Sequence, residues 1–371
     1  MLAPVLPFSR VVLRDLTPFE PNQHDADVHL SMAVDWLCRA QDIGPNDGVS
    51  YGYSLHGGWR SPYVETTGYI ACTFFNLAKH FGRSEYRERA LRMARWLRAV
   101  QNTDGSFSNP RYDAGRGIVF DTGQVVFGLL GAWQESGDEA FLAAARRAGD
   151  WLVAVADEDG RWTRNTYNGI PHVYNSRVAW ALLELYRVIP HPDYLRVAGA
   201  NLEWAVSQQH DGWFDNVAFE LGIAPYTHTI AYAIRGLWES SRLWPEPIWE
   251  QAAQRGADAV LSRLRLDGWL PGRIDRHGRP AARYCCLTGN VQMAVIWHKL
   301  HAHTGQPRYR DAAERATRYV MATQDLEIGD DNIRGAIAGS YPIWGGYAPF
   351  TYPNWAAKFF VDSLLVTRGY P

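Results

Sequence analysis

ALRMARWLRAVQNTDGSF, residues 90–107, decides the fold, because it recurs. AARRAGDWLVAVADEDGRW occupies 144–162, AGANLEWAVSQQHDGWF 198–214, and AAQRGADAVLSRLRLDGWL 252–270. AVDWLCRAQ, ahead of Asp47-Gly48, and AAERATRYVMATQ, ahead of Asp330, are weaker first and sixth copies. Each copy runs from small residues through an aromatic or aliphatic pair, often to a Gln, then to Asp-Gly and a bulky residue. Repeats about fifty to sixty residues apart mean stacked supersecondary units.

Working outward, each repeat reads as an amphipathic helix, at about 25–41, 86–101, 140–156, 194–209, 248–264 and 309–324. Between them lie helices apolar nearly all round, at about 65–81, 121–135, 175–188, 228–242, 287–303 and 354–367, which must be buried on every side. Thr66, Thr122, Ser176, Thr229, Thr288 and Asn354 sit at the starts of the apolar helices, where a side-chain oxygen can cap free amides. Links from apolar to amphipathic helix are short (GRSE, ESGDEA, PHPD, PEP, TGQPR), whereas the return links are long, as at 102–120, 157–174 and 267–286. Six such hairpins close into two concentric rings, an all-α (α/α)6 toroid with every long loop on one face. Long loops in a compact domain carry function, so the site belongs at that face. Residues 1–24, with Pro4, Pro7, Pro18 and Pro21, read as an irregular lead-in, and 25–371 as one barrel domain.

The pattern resembles the (α/α)6-toroid superfamily. That group holds six-hairpin glycosidases, polysaccharide lyases, uronyl C5-epimerases and the terpenoid cyclase and prenyltransferase barrels. Gln101-Gly105-Phe107 and Gln208-Gly212-Phe214 match the Gln-x-x-x-Gly-x-Trp/Phe motif of terpene cyclases, and Gly160-Trp162 matches it loosely. The resemblance covers about residues 25–367 and implies the fold more than the reaction. GGWRSPYVETTGYI and GSYPIWGGYAPFTYPNWAAKFF are similar to uncharacterised proteins of bacterial polysaccharide-biosynthesis clusters, which implies a carbohydrate-active enzyme. The acidic motifs of the cyclase branch are missing: Asp330-Asp331 is followed by NIR.

Composition narrows the partners. The formal net charge is -2 and no basic block occurs, which argues against nucleic acid. No run of about 20 apolar residues suggests a membrane span. The four cysteines, Cys38, Cys72, Cys285 and Cys286, have neither zinc-site spacing nor the density of a disulfide framework. With no signal-peptide pattern at the start, the expected compartment is the cytoplasm. No metal or other cofactor is expected.

Two constellations carry chemistry. Glu65 and Asp121 open the first two apolar helices, and glycoside hydrolysis needs a proton donor with a second carboxylate. Both also suit the helix dipole without any catalytic duty. Tyr174 and His228 open the next two; a lyase or epimerase needs such a base beside a uronate carboxylate, with Asn175 and Tyr167 nearby. Arg177, Arg279 and Arg283 are candidates to bind an acidic sugar, and Asp215 and Asp275 are reserve carboxylates. The loop aromatics Trp59, Tyr63, Trp213, Tyr341, Trp344, Tyr347 and Tyr352 are suited to stacking on sugar rings, or to wedging between loops. The Asp-Gly pairs read as shared turns. The expectation is an enzyme that cleaves a glycosidic bond in a polysaccharide or oligosaccharide containing acidic sugars, by hydrolysis or elimination. A uronyl C5-epimerase, a terpenoid cyclase and a non-catalytic glycan-binding protein are the rivals.

Overall fold

The computed structural model describes residues 5–17, 24–109 and 115–370. Six inner helices, α3 (Val64–Phe81), α5 (Val119–Ser136), α7 (Ser176–Val188), α9 (Thr227–Leu243), α11 (Leu287–Thr304) and α13 (Asn354–Leu365), pack each against the next. The ring closes where α13 meets α3. Six outer helices, α2 (Ala26–Asp42), α4 (Ser84–Val100), α6 (Glu139–Ala154), α8 (Pro192–Ser207), α10 (Pro247–Leu261) and α12 (Pro307–Thr323), back them, α2 lying on α13. This is the (α/α)6 toroid. Among the described residues no helix is long and apolar enough to cross a membrane.

The repeated motif is the clasp of the outer ring. Gln101 Nε2 donates to the Ala144 carbonyl of the next outer helix at 2.9 Å, and Gln209 Nε2 to Ala252 at 2.8 Å. Gln41 reaches Arg89 at 3.1 Å in the same way. Gln324 donates to the His29 carbonyl at 3.3 Å, which ties the last outer helix to the first. The fourth copy therefore uses Gln209; the motif match at Gln208 falls on a half-buried side chain that bonds Ser207 and Asn216. The glycines follow the same logic. Gly105 and Gly268 have φ of +94° and +89°, and a Cβ on either would run into the carbonyl of Arg147 or Arg315 in the following outer helix. In the sixth copy the equivalent glycine is Gly335, against Met32 of α2, and not a residue beside Asp330.

Two expectations are corrected. Residues Val5–Leu16 form a helix, α1, within the stretch read as irregular; Pro7 falls in its first turn, where proline is tolerated. Asp15 accepts a hydrogen bond from the Ile343 amide at 2.7 Å, so α1 packs on the loop between α12 and α13. The polar side chains expected as caps, Thr66, Thr122, Ser176, Thr229, Thr288 and Asn354, do not occupy the N-cap positions, which belong to Tyr63, Ile118, Asn175, Tyr226, Cys286 and Pro353. Several instead pin loops: Thr122 Oγ1 accepts from the Phe107 amide at 3.0 Å, and Asn354 Nδ2 donates to Ser50 at 2.8 Å. At the mouth, Gly52–Ser54 pairs with both Gly58–Trp59 and Thr351–Pro353, joining the first and last long loops.

Candidate active site

The inner helices share a register. The second residues of α3, α5, α9 and α13 are Glu65, Phe120, His228 and Trp355, and all four line one cavity of about 420 Å³ at the mouth. One turn deeper come Tyr69, Tyr232 and Phe359, each four residues on and so on the same helix face. Tyr69 meets Phe359 at a tilt and Tyr232 meets it edge-on, with centroids 5.4 and 6.0 Å apart, and the three rings form a floor. Loop residues Tyr51, Tyr63, Asn109, Tyr167, Tyr174, Phe219 and Tyr347 complete the wall.

The two carboxyls are linked through two phenols. Tyr63 Oη lies 2.5 Å from Glu65 Oε2 and 2.8 Å from Tyr167 Oη, which lies 2.7 Å from Asp121 Oδ1. Three contacts in a row need three protons, and each phenol owns one. Burial drives the pKa of both tyrosines far up, so neither is a source of negative charge. The third proton therefore sits on a carboxyl, and the row runs either from Glu65 to Asp121 or the reverse. Electrostatics agree. Burial raises Glu65 to about 7, and burial, with Glu65 as a second cause, raises Asp121 well above the usual carboxylate range. Asp121 is 0% exposed and stands behind the wall; Glu65 is the carboxyl that meets the cavity.

Tyr167 is held by its loop. His172 contacts the Tyr167 carbonyl at 2.8 Å and the Ala218 carbonyl at 3.0 Å while stacking on Tyr174. Opposite, His228 is 4% exposed and neither ring nitrogen has a partner among the described residues. Burial, then the Arg273 charge, lowers its pKa to about 3, so it is neutral. Tyr347 faces it at 4.7 Å between centroids and accepts a hydrogen bond from Trp355 Nε1 at 2.8 Å.

The cavity thus gathers Glu65, Tyr63, Tyr167, Tyr174, His228 and Tyr347, with Asp121 behind. The other expected residues lie elsewhere. Trp59 wedges against Trp36 and donates to Asn332 Oδ1 at 2.8 Å. Trp213 is buried in a hairpin beneath Gly278, and Tyr352 is buried in the strand patch at the rim. Asp215 lines a separate groove between loops, where it pairs with His210 and Arg276. Asn175 is buried as the N-cap residue of α7 and does not reach the cavity. Arg279 is exposed and tied to the Asp275 turn; Arg283 and Trp344 face outward; Tyr341 pairs in a short strand with Cys285. Loop aromatics fail as site markers because the same amphipathic ring serves to wedge loops together. Phe120 and Trp355 were within reach of the sequence, since they share the register of Glu65 and His228. Tyr51, Asn109 and Phe219 carried no such signal.

No family model matches the sequence, and no curated protein sequence matches it. Solved structures of the same architecture do. An unsaturated glucuronyl hydrolase from Bacillus sp. GL1, responsible for the degradation of glycosaminoglycan, superposes with a TM-score of 0.73 at 19% identity over 93% of this chain and 97% of that one. An unsaturated glucuronyl hydrolase specific for heparin gives 0.74 at 15% identity over 92% and 97%. The cellobiose 2-epimerase of Bacillus thermoamylovorans gives 0.65 at 12% identity over 90% and 96%. At such identities the likeness is one of fold: this chain has the toroid of the six-hairpin glycosidases.

Proposed function

We propose that this protein is a glycoside hydrolase that removes a terminal acidic sugar from an oligosaccharide. The observation that carries the reading is the row Glu65–Tyr63–Tyr167–Asp121, which holds one acidic proton at a cavity of about 420 Å³ walled by aromatic rings. Protonated Glu65 gives its proton to the glycosidic oxygen, the carbon–oxygen bond breaks, and water adds to the anomeric carbon. The proton released by that water returns to the carboxyl pair. Asp121 never touches the sugar; it exchanges the proton with Glu65 through the two phenols, each accepting on one side as it donates on the other.

Recognition of a carboxylate is supported by two features. The N-termini of the inner helices converge on the mouth, where their dipoles favour an anion. His228 offers two unpartnered nitrogens there, and an arriving carboxylate would draw a proton onto the ring. Elimination is less well supported, because among the described residues no Arg or Lys lines the cavity to hold the enolate charge. The named substrates of the similar hydrolases suggest an unsaturated uronate at the non-reducing end. The free thiols of Cys38, Cys72, Cys285 and Cys286 support a reducing compartment, the cytoplasm.

The test is incubation with disaccharides that end in a saturated or an unsaturated uronate, following reducing ends and alkene absorbance together. New reducing ends with falling or unchanged absorbance are expected. A rise in absorbance means elimination, and solvent deuterium entering an uncleaved sugar means epimerisation; either overturns the proposal.

A further inference from the structure

Behind the floor of Tyr69, Tyr232 and Phe359 the toroid holds a second hollow of about 360 Å³, reaching toward the C-terminal ends of the inner helices. Its charges are mostly paired within the protein. Arg235 and Lys299 share Glu239 at 2.5 and 2.9 Å, Lys358 meets Asp362 at 2.5 Å, and Lys79 meets Glu135 at 2.6 Å. Glu184 pairs outward with Arg187 at 3.5 Å. Arg235 and Lys299 together exceed Glu239 by one positive charge, and one further cation of the hollow has no carboxylate beside it.

That cation is Arg177. The residue is 4% exposed and lines the rear hollow, not the front cavity where an acidic sugar was expected to meet it. Its Nε donates to Gln124 Oε1 at 2.9 Å. Tyr232, Trp180 and Phe127 surround its guanidinium at 4.9, 5.2 and 5.9 Å. Among the described residues no carboxylate pairs with it and no acceptor meets its two terminal nitrogens. Burial lowers its pKa, yet a guanidinium stays charged at any ordinary pH. A desolvated cation with a free two-nitrogen fork is complementary to an oxyanion, which accepts two parallel hydrogen bonds in that geometry.

We propose that the rear hollow is a binding site for a small-molecule oxyanion, a carboxylate or a phosphate, anchored on Arg177. The aromatic cage fixes the fork, and the floor separates the anion from the front cavity. The site is spatially separate from the reaction at the mouth.

Titration calorimetry with inorganic phosphate, and separately with acetate, against sodium chloride at matched ionic strength tests this. One saturable site per chain is expected, and the tighter of the two ions names the source. Arg177→Gln should weaken binding at least tenfold. Gln124→Glu places a carboxylate beside the guanidinium and removes an amide nitrogen that has no partner, so it should abolish binding in a folded protein. Glu65→Gln should leave binding intact, which places the ion behind the floor. Absence of saturable binding by either ion, unchanged affinity in Gln124→Glu, or loss of binding in Glu65→Gln would each overturn the proposal. Should Arg177→Gln fail to fold by circular dichroism, Gln124→Glu decides alone.

Discussion

Glu65→Gln is predicted to destroy activity while stabilising the protein, and only at high pH. Glu65 is 7% exposed, and burial raises its pKa from 4.5 to about 7. A tenfold change in an ionisation constant is about 1.4 kcal/mol. Ionising Glu65 in the fold therefore costs about 3 kcal/mol more than in the unfolded chain. The sign follows from the direction. A carboxyl whose folded pKa lies above its unfolded one carries no penalty below about pH 4.5. Stability is lost as pH climbs toward 7, and the loss is constant above that. Glutamine never ionises, accepts from Tyr63 as the carboxyl does, and leaves Asp121 to supply the third proton of the row. The variant should gain up to about 3 kcal/mol at pH 8 and nothing at pH 4. Hydrolysis should fall about 10²- to 10⁴-fold, the usual weight of a general acid. Urea denaturation at pH 4, 6 and 8 beside a reducing-end assay reads both effects. A variant equally or less stable than the parent at pH 8 would refute the buried-proton account, whatever its activity.

Tyr167→Phe cuts the row in the middle: Tyr63 is then free to donate to Glu65 at all times, which lowers the pKa of the donor. The rate should drop about 10- to 100-fold at pH 7 and recover toward pH 5, as expected when the acid must be refilled from solvent; a pH–rate profile lowered uniformly would mean a packing role only. His228→Gln should raise KM for a uronate substrate and leave KM for the matching neutral sugar within about twofold, since it removes the imidazole that faces the cavity opposite Glu65. Equal losses on both sugars would count against carboxylate recognition. Gln209→Ala should cost about 1 kcal/mol in chemical denaturation, the net worth of its bond to Ala252, while Gln208→Ala should change stability by less than about 0.5 kcal/mol. The reverse order would restore the motif alignment read from the sequence.

The fold was legible because it is repetitive. A helix apolar on every side and a helix with one apolar stripe can alternate six times in only a few ways, and the loop lengths choose among them. What escaped was local. The stretch 1–24 shows four prolines and so looks broken, yet Pro7 sits where a first turn tolerates it, and Arg14 and Asp15 find their partners, Asp325 and Ile343, more than three hundred residues away. Gln208 and Gln209 are adjacent and chemically identical. Both lie just beyond the end of α8, and only the path the backbone takes there decides which one reaches Ala252, which a motif written as letters cannot carry.

The site was legible where it obeyed the helix register and illegible where it depended on loops. Glu65 and His228 could be named because a polar residue at the second position of a wholly apolar helix has nowhere to point but the ring's centre. The same rule, applied without regard to polarity, yields Phe120 and Trp355, and four residues on it yields the floor. For Arg177 the rule fails instructively. It too is the second residue of its helix, but Tyr174 and His172 occupy the mouth ahead of α7, and the long side chain runs behind the floor to the rear hollow. A sequence shows which residues share a ring; it takes the packed floor to show that the ring has two sides. The chemistry follows from that partition: a proton kept in front by two buried acids and two phenols, a positive charge kept behind by three aromatic faces. Glu65 feels the Arg177 charge as a small downward pull on its pKa, outweighed by burial. Were the floor opened, as by Phe359→Ala, water would join the two compartments and screen both groups. The donor's pKa should then fall back toward 4.5, and the alkaline limb of the pH–rate profile should move to lower pH with it. An unmoved limb in a folded Phe359→Ala protein would mean that the tyrosine row alone holds the proton.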